Sequence, residues 1–231
     1  RIEYIPNGVN LQRFHPIRSQ QERQGRQGLR DEFSIPINHK VIAVVGAIMP
    51  RKGPDIVLQA WRRILPHFPD THVLFVGPRA DTHDPKLKAF GGEIAELVAT
   101  SGAARQVHFA GIVDDVENYL RAADIFILAS NREGTPNSVL EAMATGLPCL
   151  VKPYLGISAG IGQPGEHYQL VDRNHEAIAA ALTGLLQNEN PGSALGNQGQ
   201  RYVEANIDQQ HSLDRYAALY EELAAAAARR R

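Results

Sequence analysis

The chain has 231 residues, 43% of them hydrophobic, and a formal net charge of −1 at pH 7. This composition fits a globular protein with a sizeable core, and the near-zero charge predicts no electrostatic surface for nucleic acid. No apolar run has the roughly 18 residues of a membrane span, and Cys149 is the single cysteine, which excludes an internal disulfide. We therefore expect a cytoplasmic protein whose membrane contact, where it has one, is peripheral and at the inner face.

Apolar runs and helical periods alternate along the chain. Short apolar runs predict strands at 2–5, 41–45, 73–77, 107–110, 125–130 and 148–151. Apolar residues at helical spacing predict helices over 54–68, 85–100, 114–122, 136–145, 174–188, 193–206 and 211–228. The segment 20–30 is polar and rich in Arg, Gln and Gly, which favours a mobile loop or an exposed, poorly formed helix.

The order of these segments predicts the fold class. Strands that are almost continuously apolar, each followed by a helix, are typical of a parallel sheet covered on both faces. With right-handed crossovers the fold is α/β, a doubly wound, Rossmann-like sheet that binds ligands at the carboxyl ends of its strands. We assign 1–231 to this single domain, with C-terminal helices from about 174, and the start at Arg1 reads as the second part of a longer protein.

The loop after the 41–45 strand is the first candidate for a ligand site. It runs from Gly46 to Gly53 and contains Arg51 and Lys52, two cations that could neutralise a diphosphate. Gly53 would let the backbone approach such a ligand closely. Solvated surface charge remains an open alternative, since Lys and Arg are usually exposed.

The second candidate is the segment 133–141, which connects a buried strand to a helix. Thr135 suits the N-cap of that helix and Pro136 its first position. The backbone amides of Asn137 to Val139 would then be unpaired and available to a phosphate.

Two glutamates, Glu133 and Glu141, stand at the ends of this segment. On the helix, Glu141 shares a polar stripe with Ser138 and Thr145, while Val139, Leu140 and Met143 take the core side. A carboxylate beside a buried sheet needs a partner, and two ribose hydroxyls would supply two donors. The alternative is that Glu141 faces water and Glu133 only favours the helix dipole.

Other chemistries fit the sequence less well. A glycosidase needs two carboxyls facing each other across a sugar, at roughly 5–10 Å, whereas Glu133 and Glu141 should point to different parts of a ligand. The nine histidines show no metal-ligand spacing, and His108 reads as a satisfied, partly buried side chain. A Gly-x-Gly-x-x-Gly turn after the first strand is absent, which argues against a dehydrogenase. We expect neither a metal nor a cofactor.

Four stretches, in this order, resemble the C-terminal, donor-binding domain of family 4 retaining glycosyltransferases, which have the GT-B fold. They are Ile5–Asn10 with its IPNGVN run, the Gly46–Gly53 loop, the stretch 109–124, and the segment Ser130–Pro148, SNREGTPNSVLEAMATGLP. The last is the most specific of the four. They extend over nearly the whole chain.

The resemblance implies a nucleoside diphosphate sugar, usually UDP- or GDP-linked, lying across the strand ends. By similarity, Glu141 would hold the ribose hydroxyls and Glu133, the catalytic candidate, would lie near the transferred sugar. The amides around Ser138 and Val139, together with Thr135 and Asn137, would surround the diphosphate, with Lys52 and Arg51 as its cations and Gly53 beside them. Turns that include Gly77 and Val113 would flank the base. Transfer would retain the anomeric configuration, through electrostatic stabilisation of the leaving phosphate.

The chain departs from the family at two points. The family has an arginine after the loop glycine where this chain has Ala47, and a Thr-Gly-Gly stretch where this chain has 152–160. Lys152 could supply a replacement charge. Three interpretations stay open: the donor half of an enzyme whose N-terminal acceptor domain is absent here, a nucleotide-sugar-binding module without turnover, and an epimerase-like enzyme. In the first case this fragment should bind nucleotide and transfer little or no sugar.

Overall fold

The computed structural model describes residues 5, 7–79, 83–154, 159–172, 174–187 and 194–228. The strand predicted at 2–5 and part of the departure at 152–160 lie outside these residues. Six strands are present within them: β1 Lys40–Val45, β2 Thr71–Val76, β3 Val107–Gly111, β4 Ile125–Leu128, β5 Cys149–Val151 and β6 Gln169–Leu170.

Eight α-helices accompany the strands in the described residues. They are α1 Gln20–Glu32, α2 Pro54–Ile64, α3 Pro85–Ala99, α4 Val116–Ala122, α5 Asn137–Ala144, α6 His175–Leu186, α7 Ala194–Asn206 and α8 Gln209–Ala228. Short 3₁₀ turns lie at Pro50–Lys52, Ala104–Gln106 and Ala159–Ile161. None of the helices in the described ranges has the length and apolarity that a membrane span requires.

All strand pairs are parallel, and the sheet order is β3-β2-β1-β4-β5-β6. The order reverses between β1 and β4, which is the switch point at which doubly wound sheets bind ligands. One core cluster joins α4, α5 and α7 to one face of the sheet, and a second cluster joins α2, α3 and α6 to the other. The predicted α/β, doubly wound, Rossmann-like fold is therefore confirmed.

Of the two alternatives predicted for 20–30, the mobile loop is wrong; the segment is a largely exposed helix, α1, which is regular and not poorly formed. Ser19 and Glu22 form a reciprocal capping box at its start, which satisfies free backbone amides. At its last turn the Arg30 side chain is only 1% exposed. Its guanidinium donates to the carbonyl oxygens of Ala122, Ile37 and His39 and to the Asp124 carboxylate. A polar segment thus becomes ordered through an arginine that the sequence pattern assigned to solvent.

The edge of the sheet where the strands begin carries a row of three histidines. His39 Nδ1 lies 2.9 Å from His72 Nε2, and His72 Nδ1 lies 2.9 Å from His108 Nε2. The rings of His72 and His108 are stacked. Since a neutral imidazole donates from one nitrogen and accepts at the other, each ring can satisfy its neighbour. The interpretation of His108 as a satisfied, partly buried side chain is confirmed.

Candidate functional site

The loops that follow β1, β2 and β3 are hydrogen-bonded to one another at the carboxyl edge of the sheet. Gly46 N–H donates to Val76 O at 2.8 Å, Ile48 N–H to Pro78 O at 2.9 Å, and Gly77 N–H to Gly111 O at 2.8 Å. A Cβ atom on Gly77 would lie 2.4 Å from Gly46 O, and the Gly77 φ angle is 140°. Only glycine fits there, and the close approach holds the first candidate loop against the turn after β2.

The loops after β1 and β4 meet across the switch point. Gly53 has a φ of 67° and starts α2, and a Cβ atom on it would lie 2.7 Å from Ala129 O. Asn131 N–H donates to Arg51 O at 2.9 Å. The two segments that the sequence singled out separately therefore form one continuous surface, because their strands are neighbours in the sheet.

Glu133 lies between the two cations of the first loop. Its Oε1 is 2.7 Å from Lys52 Nζ, and its Oε2 is 3.7 Å from Arg51 Nη1. The side chains of Glu133 and Lys52 are 10% and 19% exposed. Arg51 Nη1 also donates to Arg132 O at 2.7 Å. Lys52 and Glu133 were predicted at different parts of a ligand, whereas the structure joins them as an ion pair.

The start of α5 differs from its prediction. The helix begins at Asn137 with Pro136 in the cap position, so Thr135 is not the N-cap and no side chain caps this end. Asn137 N–H donates to Thr135 O and Val139 N–H to Pro136 O, both at 2.9 Å. Two of the three amides expected to be free are therefore occupied, because the tight Thr135-Pro136 turn turns its carbonyls toward them. Within the described residues, the amide of Ser138 has no acceptor.

Glu141 follows one helical turn after Ser138 on the same side of α5, as residues three apart do. Its carboxyl is half-buried and has no hydrogen-bond partner in the part of the chain that the structure describes. Burial raises the pKa of Glu141 above its ordinary value, against the lowering effect of the Arg13 guanidinium and with a further rise from the Glu117 carboxylate. The predicted core side of this helix is confirmed, since Val139, Leu140 and Met143 are buried.

The turns after β2 and β3 lie side by side at the far end of this surface. Gly77 and Gly111 are joined by the hydrogen bond described above, and Val113 packs against the core. Between them Ile112 is 80% exposed.

Sequence reasoning named Lys152 as a possible replacement charge and missed two further polar groups, Ser130 and Tyr154. The Lys152 side chain is 3% exposed, and its Nζ donates to Asn131 Oδ1 at 2.6 Å. The hydroxyls of Ser130 and Tyr154 are buried and have no hydrogen-bond partner in the described ranges. Burial raises the pKa of Tyr154, and the charge of Glu133 adds to that rise. All three follow the carboxyl end of β4 or β5, a position that could have identified them from the sequence.

The described residues contain no group of three or more His, Cys, Asp or Glu side chains placed to hold a metal ion. What the site offers is one free amide, two cations around a carboxylate, and a second carboxylate without a partner. This arrangement lies at the switch point of a 3-2-1-4-5-6 sheet, the place at which Rossmann-type domains bind ligands.

The family model described as Glycosyl transferases group 1 matches residues 39–188. The chain belongs to this glycosyltransferase family. It is 31% identical over 154 residues to the UDP-Gal:alpha-D-GlcNAc-diphosphoundecaprenol alpha-1,3-galactosyltransferase of Escherichia coli, across 65% of this chain and 36% of that protein. The chain spans about half the length of the curated relatives it matches.

Solved structures agree with the fold. The C-terminal domain of LpcC, a group 1 glycosyltransferase from Francisella tularensis, is 26% identical with a TM-score of 0.74, and the match covers 87% of this chain and 99% of that domain. HepE from Anabaena, in complex with UDP and glucose, is 17% identical with a TM-score of 0.80, over 94% of this chain and 56% of HepE. The predicted resemblance to the C-terminal half of a GT-B glycosyltransferase is confirmed.

Proposed function

We propose that this chain binds a nucleoside diphosphate sugar as the donor domain of a retaining glycosyltransferase. The observation that carries the proposal is the half-buried Glu141 carboxylate, which has no hydrogen-bond partner in the described residues and lies one turn from the free amide of Ser138. A carboxylate in this state is costly unless a ligand supplies donors. Two vicinal ribose hydroxyls would supply them.

The diphosphate would lie at the start of α5. The Ser138 amide donates there, and the helix dipole favours negative charge. Lys52 would be its cation, and in the free chain Glu133 is paired with it. A bound phosphate would therefore compete with Glu133 for the ammonium group, which couples donor binding to the position of the glutamate. Arg51, at 3.7 Å from Glu133, supplies a second positive charge where the family's arginine is replaced by Ala47.

The base would rest on the turns after β2 and β3. Gly77 and Val113 border that area, and the exposed Ile112 offers an apolar surface to one face of a flat ring.

Transfer would proceed by breaking the bond between the anomeric carbon and the diphosphate oxygen while the acceptor hydroxyl attacks from the same face. The electron pair leaves with the β-phosphate, where Lys52, Arg51 and the Ser138 amide stabilise the added charge, and the leaving phosphate oxygen takes the proton of the acceptor hydroxyl. Glu133 lies beside this position and would orient the sugar. No protein nucleophile, metal or cofactor is required. The acceptor would be held by a partner N-terminal domain. The single cysteine, Cys149, fits the cytoplasmic location expected from the sequence.

Isothermal titration with UDP, GDP and ADP tests donor binding. At least one nucleotide should bind, and Glu141→Gln should weaken it by tenfold or more, since hydrogen bonds to a charged group contribute about 1.5–3 kcal/mol. Glu96→Gln, an exposed change on α3, is the matched control and should bind as the parent chain does. The absence of heat with all three nucleotides would contradict the site assignment.

A binding module without turnover is the second candidate, and Ala47 is the residue that favours it. Assaying the full-length parent with donor sugars and a panel of acceptors separates the two functions. Sugar transfer with retention at the anomeric carbon, read by NMR of the product, supports the enzyme. Nucleotide binding without transfer to any acceptor supports the module.

A further inference from the structure

A groove runs along α3, on the face of the sheet opposite to α5. It has a volume of about 500 Å³, within the range of small-molecule pockets in proteins. Phe109 of the edge strand β3 forms one wall, and Ile94 and Val98 of α3 form the other. Most of the groove lies away from the candidate donor site, because α3 packs on the second core cluster and α5 on the first. One end borders that site through Ile48 of the Gly46–Gly53 loop and Arg79 after the turn at Gly77.

The groove is open because α3 places small residues where larger ones would close it. Gly91 and Ala95 lie one turn apart and both line the groove. A Cβ atom added to Gly91 would meet no atom within 4 Å. The lining residues of α3 extend from Leu87 to Ala99, a distance of about 18 Å at the usual helical rise. An extended chain fits this length and narrow width better than a compact ring system.

The charged residues that line the groove lie at one of its ends. Its two charged lining residues, Arg79 and Lys88, are both cations at the end nearest the carboxyl edge of the sheet. Within the described residues neither has a carboxylate partner, and the Arg79 guanidinium lies 4.7 Å from the centroid of the Phe109 ring. The carboxylate of Asp84, at the start of α3, already accepts a hydrogen bond from Lys86 N–H. The opposite end is closed by Ala99 and Ala104.

We propose that this groove binds a single-chain amphiphile with an anionic head group. The alkyl chain lies along α3 between Ile94, Val98 and Phe109, and the head lies between Arg79 and Lys88. Apolar burial supplies most of the binding, and the two cations select a charged head over a neutral one. The proposal does not rest on donor binding, since the alkyl chain would lie along α3, whereas the nucleotide would lie across the carboxyl edge of the sheet.

Decyl phosphate, decanol and inorganic phosphate are the probes, titrated below the concentration at which the amphiphiles aggregate. Binding is followed by the methyl NMR signals of Ile94 and Val98. Decyl phosphate should bind with one site per chain, decanol about tenfold more weakly, and inorganic phosphate should leave these signals unchanged. Equal affinity for decanol and decyl phosphate, or shifts with phosphate alone, would overturn the proposed head-group site.

Two neighbouring glycines of α3 provide a matched pair of variants. Gly91→Leu fills the groove and should reduce decyl phosphate affinity at least tenfold. Gly92→Leu, at a glycine that is also open to space but does not line the groove, should bind as the parent chain does. Equal affinity of the Gly91→Leu variant and the parent chain contradicts the proposal.

Two further measurements address the head group and the donor site. The Arg79→Gln, Lys88→Gln double variant should bind decyl phosphate no better than decanol, and decyl phosphate affinity unchanged from the parent chain contradicts the cation role. UDP titrations should be unaffected by decyl phosphate. Competition between the two would assign the phosphate to the nucleotide site and overturn the separate groove.

Discussion

Buried polar groups are paired at one edge of the sheet, whereas the other edge includes several that are unpaired in the described ranges. At the edge where the strands begin, the Arg30 guanidinium uses its donors on three carbonyls and on Asp124, and Asp124 also accepts from Val41 N–H at 2.7 Å. At the edge where the strands end, Glu141, the Ser138 amide and the buried Tyr154 hydroxyl have no partner in the described ranges.

The paired groups at the first edge contribute to the stability of the fold, whereas the unpaired groups at the second edge are available to a ligand. Paired and buried charges tie α1 and β4 to the start of the sheet, and removing one partner leaves the other desolvated and uncompensated. Unpaired groups at the other edge cost stability in the free chain, and the proposed donor would satisfy the Glu141 carboxylate and the Ser138 amide. Substitution of a paired group should therefore lower the free energy of unfolding, whereas substitution of an unpaired group should leave it nearly unchanged or raise it.

Arg30→Met should produce the largest loss of stability. The change leaves Asp124 with Arg26 as its remaining guanidinium partner, and breaking a buried ion pair costs about 3–5 kcal/mol. Urea unfolding measures the difference. Tyr154→Phe, which removes a buried hydroxyl that has no partner in the described ranges at the other edge, is the comparison and should change the free energy of unfolding by about 1 kcal/mol or less. Similar losses for the two variants would remove the contrast between the edges.

Acid should unfold the protein through the histidine row. Burial lowers the pKa of His72 from 6.5 to about 4, with further lowering from His108 and His39, and burial also lowers the pKa of His108. The folded state keeps these rings neutral where the unfolded chain protonates them. The unfolded state therefore binds more protons, and stability falls as the pH falls from 6.5 toward about 4.

The His72 shift alone corresponds to about 3 kcal/mol, since each pKa unit is about 1.4 kcal/mol. Urea midpoints at several pH values between 7 and 4 measure it. His72→Asn should flatten this part of the pH profile, even where it lowers stability at pH 7. An unchanged slope in the variant would show that the acid sensitivity has another origin.

Gly77→Ala should cost about 1–3 kcal/mol, the usual range for a strained backbone position, and should displace the first candidate loop. The added Cβ would meet the Gly46 carbonyl. Gly102→Ala is the matched control, because Gly102 also has a positive φ, of 77°, but has no atom within 4 Å of its added Cβ. The difference between the two in thermal unfolding isolates the close contact, and a loss in Gly102→Ala as large as that in Gly77→Ala would argue against it.

Glu141→Gln should give the smallest change in stability, with the opposite sign. Because burial raises the Glu141 pKa, the folded state holds more protons than the unfolded state above the ordinary glutamate value, and stability decreases as the pH rises through that window. The neutral amide avoids this cost, so the free chain should gain up to about 1 kcal/mol at pH 7 while nucleotide binding is lost. Chemical denaturation with and without UDP measures both effects. A destabilised variant would indicate a structural role for the carboxylate.

The sequence predicted correctly those features that depend on one local requirement, such as burial of both faces of a strand. The apolar runs at 41–45, 73–77 and 125–130 predicted the parallel sheet because both of its faces are buried, and the segment 133–141 predicted the family. The N-cap at Thr135 was wrong, since Pro136 at the cap position is decided by a turn whose carbonyls occupy two amides. The regularity of helix α1 was missed, because Arg30 bonds to residues 92 and 94 positions away in the chain.

The amino acid order alone specified the alternation of strands and helices, the side of α5 that enters the core, and the family, because each of these depends on neighbouring residues. Which polar groups are paired was decided only by the tertiary structure. Lys52 and Glu133, 81 positions apart, meet because β1 and β4 are adjacent in the sheet. Glu141 stays unpaired because none of the described side chains donates a hydrogen bond to it. Pairing depends on distances in space, which the order of residues does not contain.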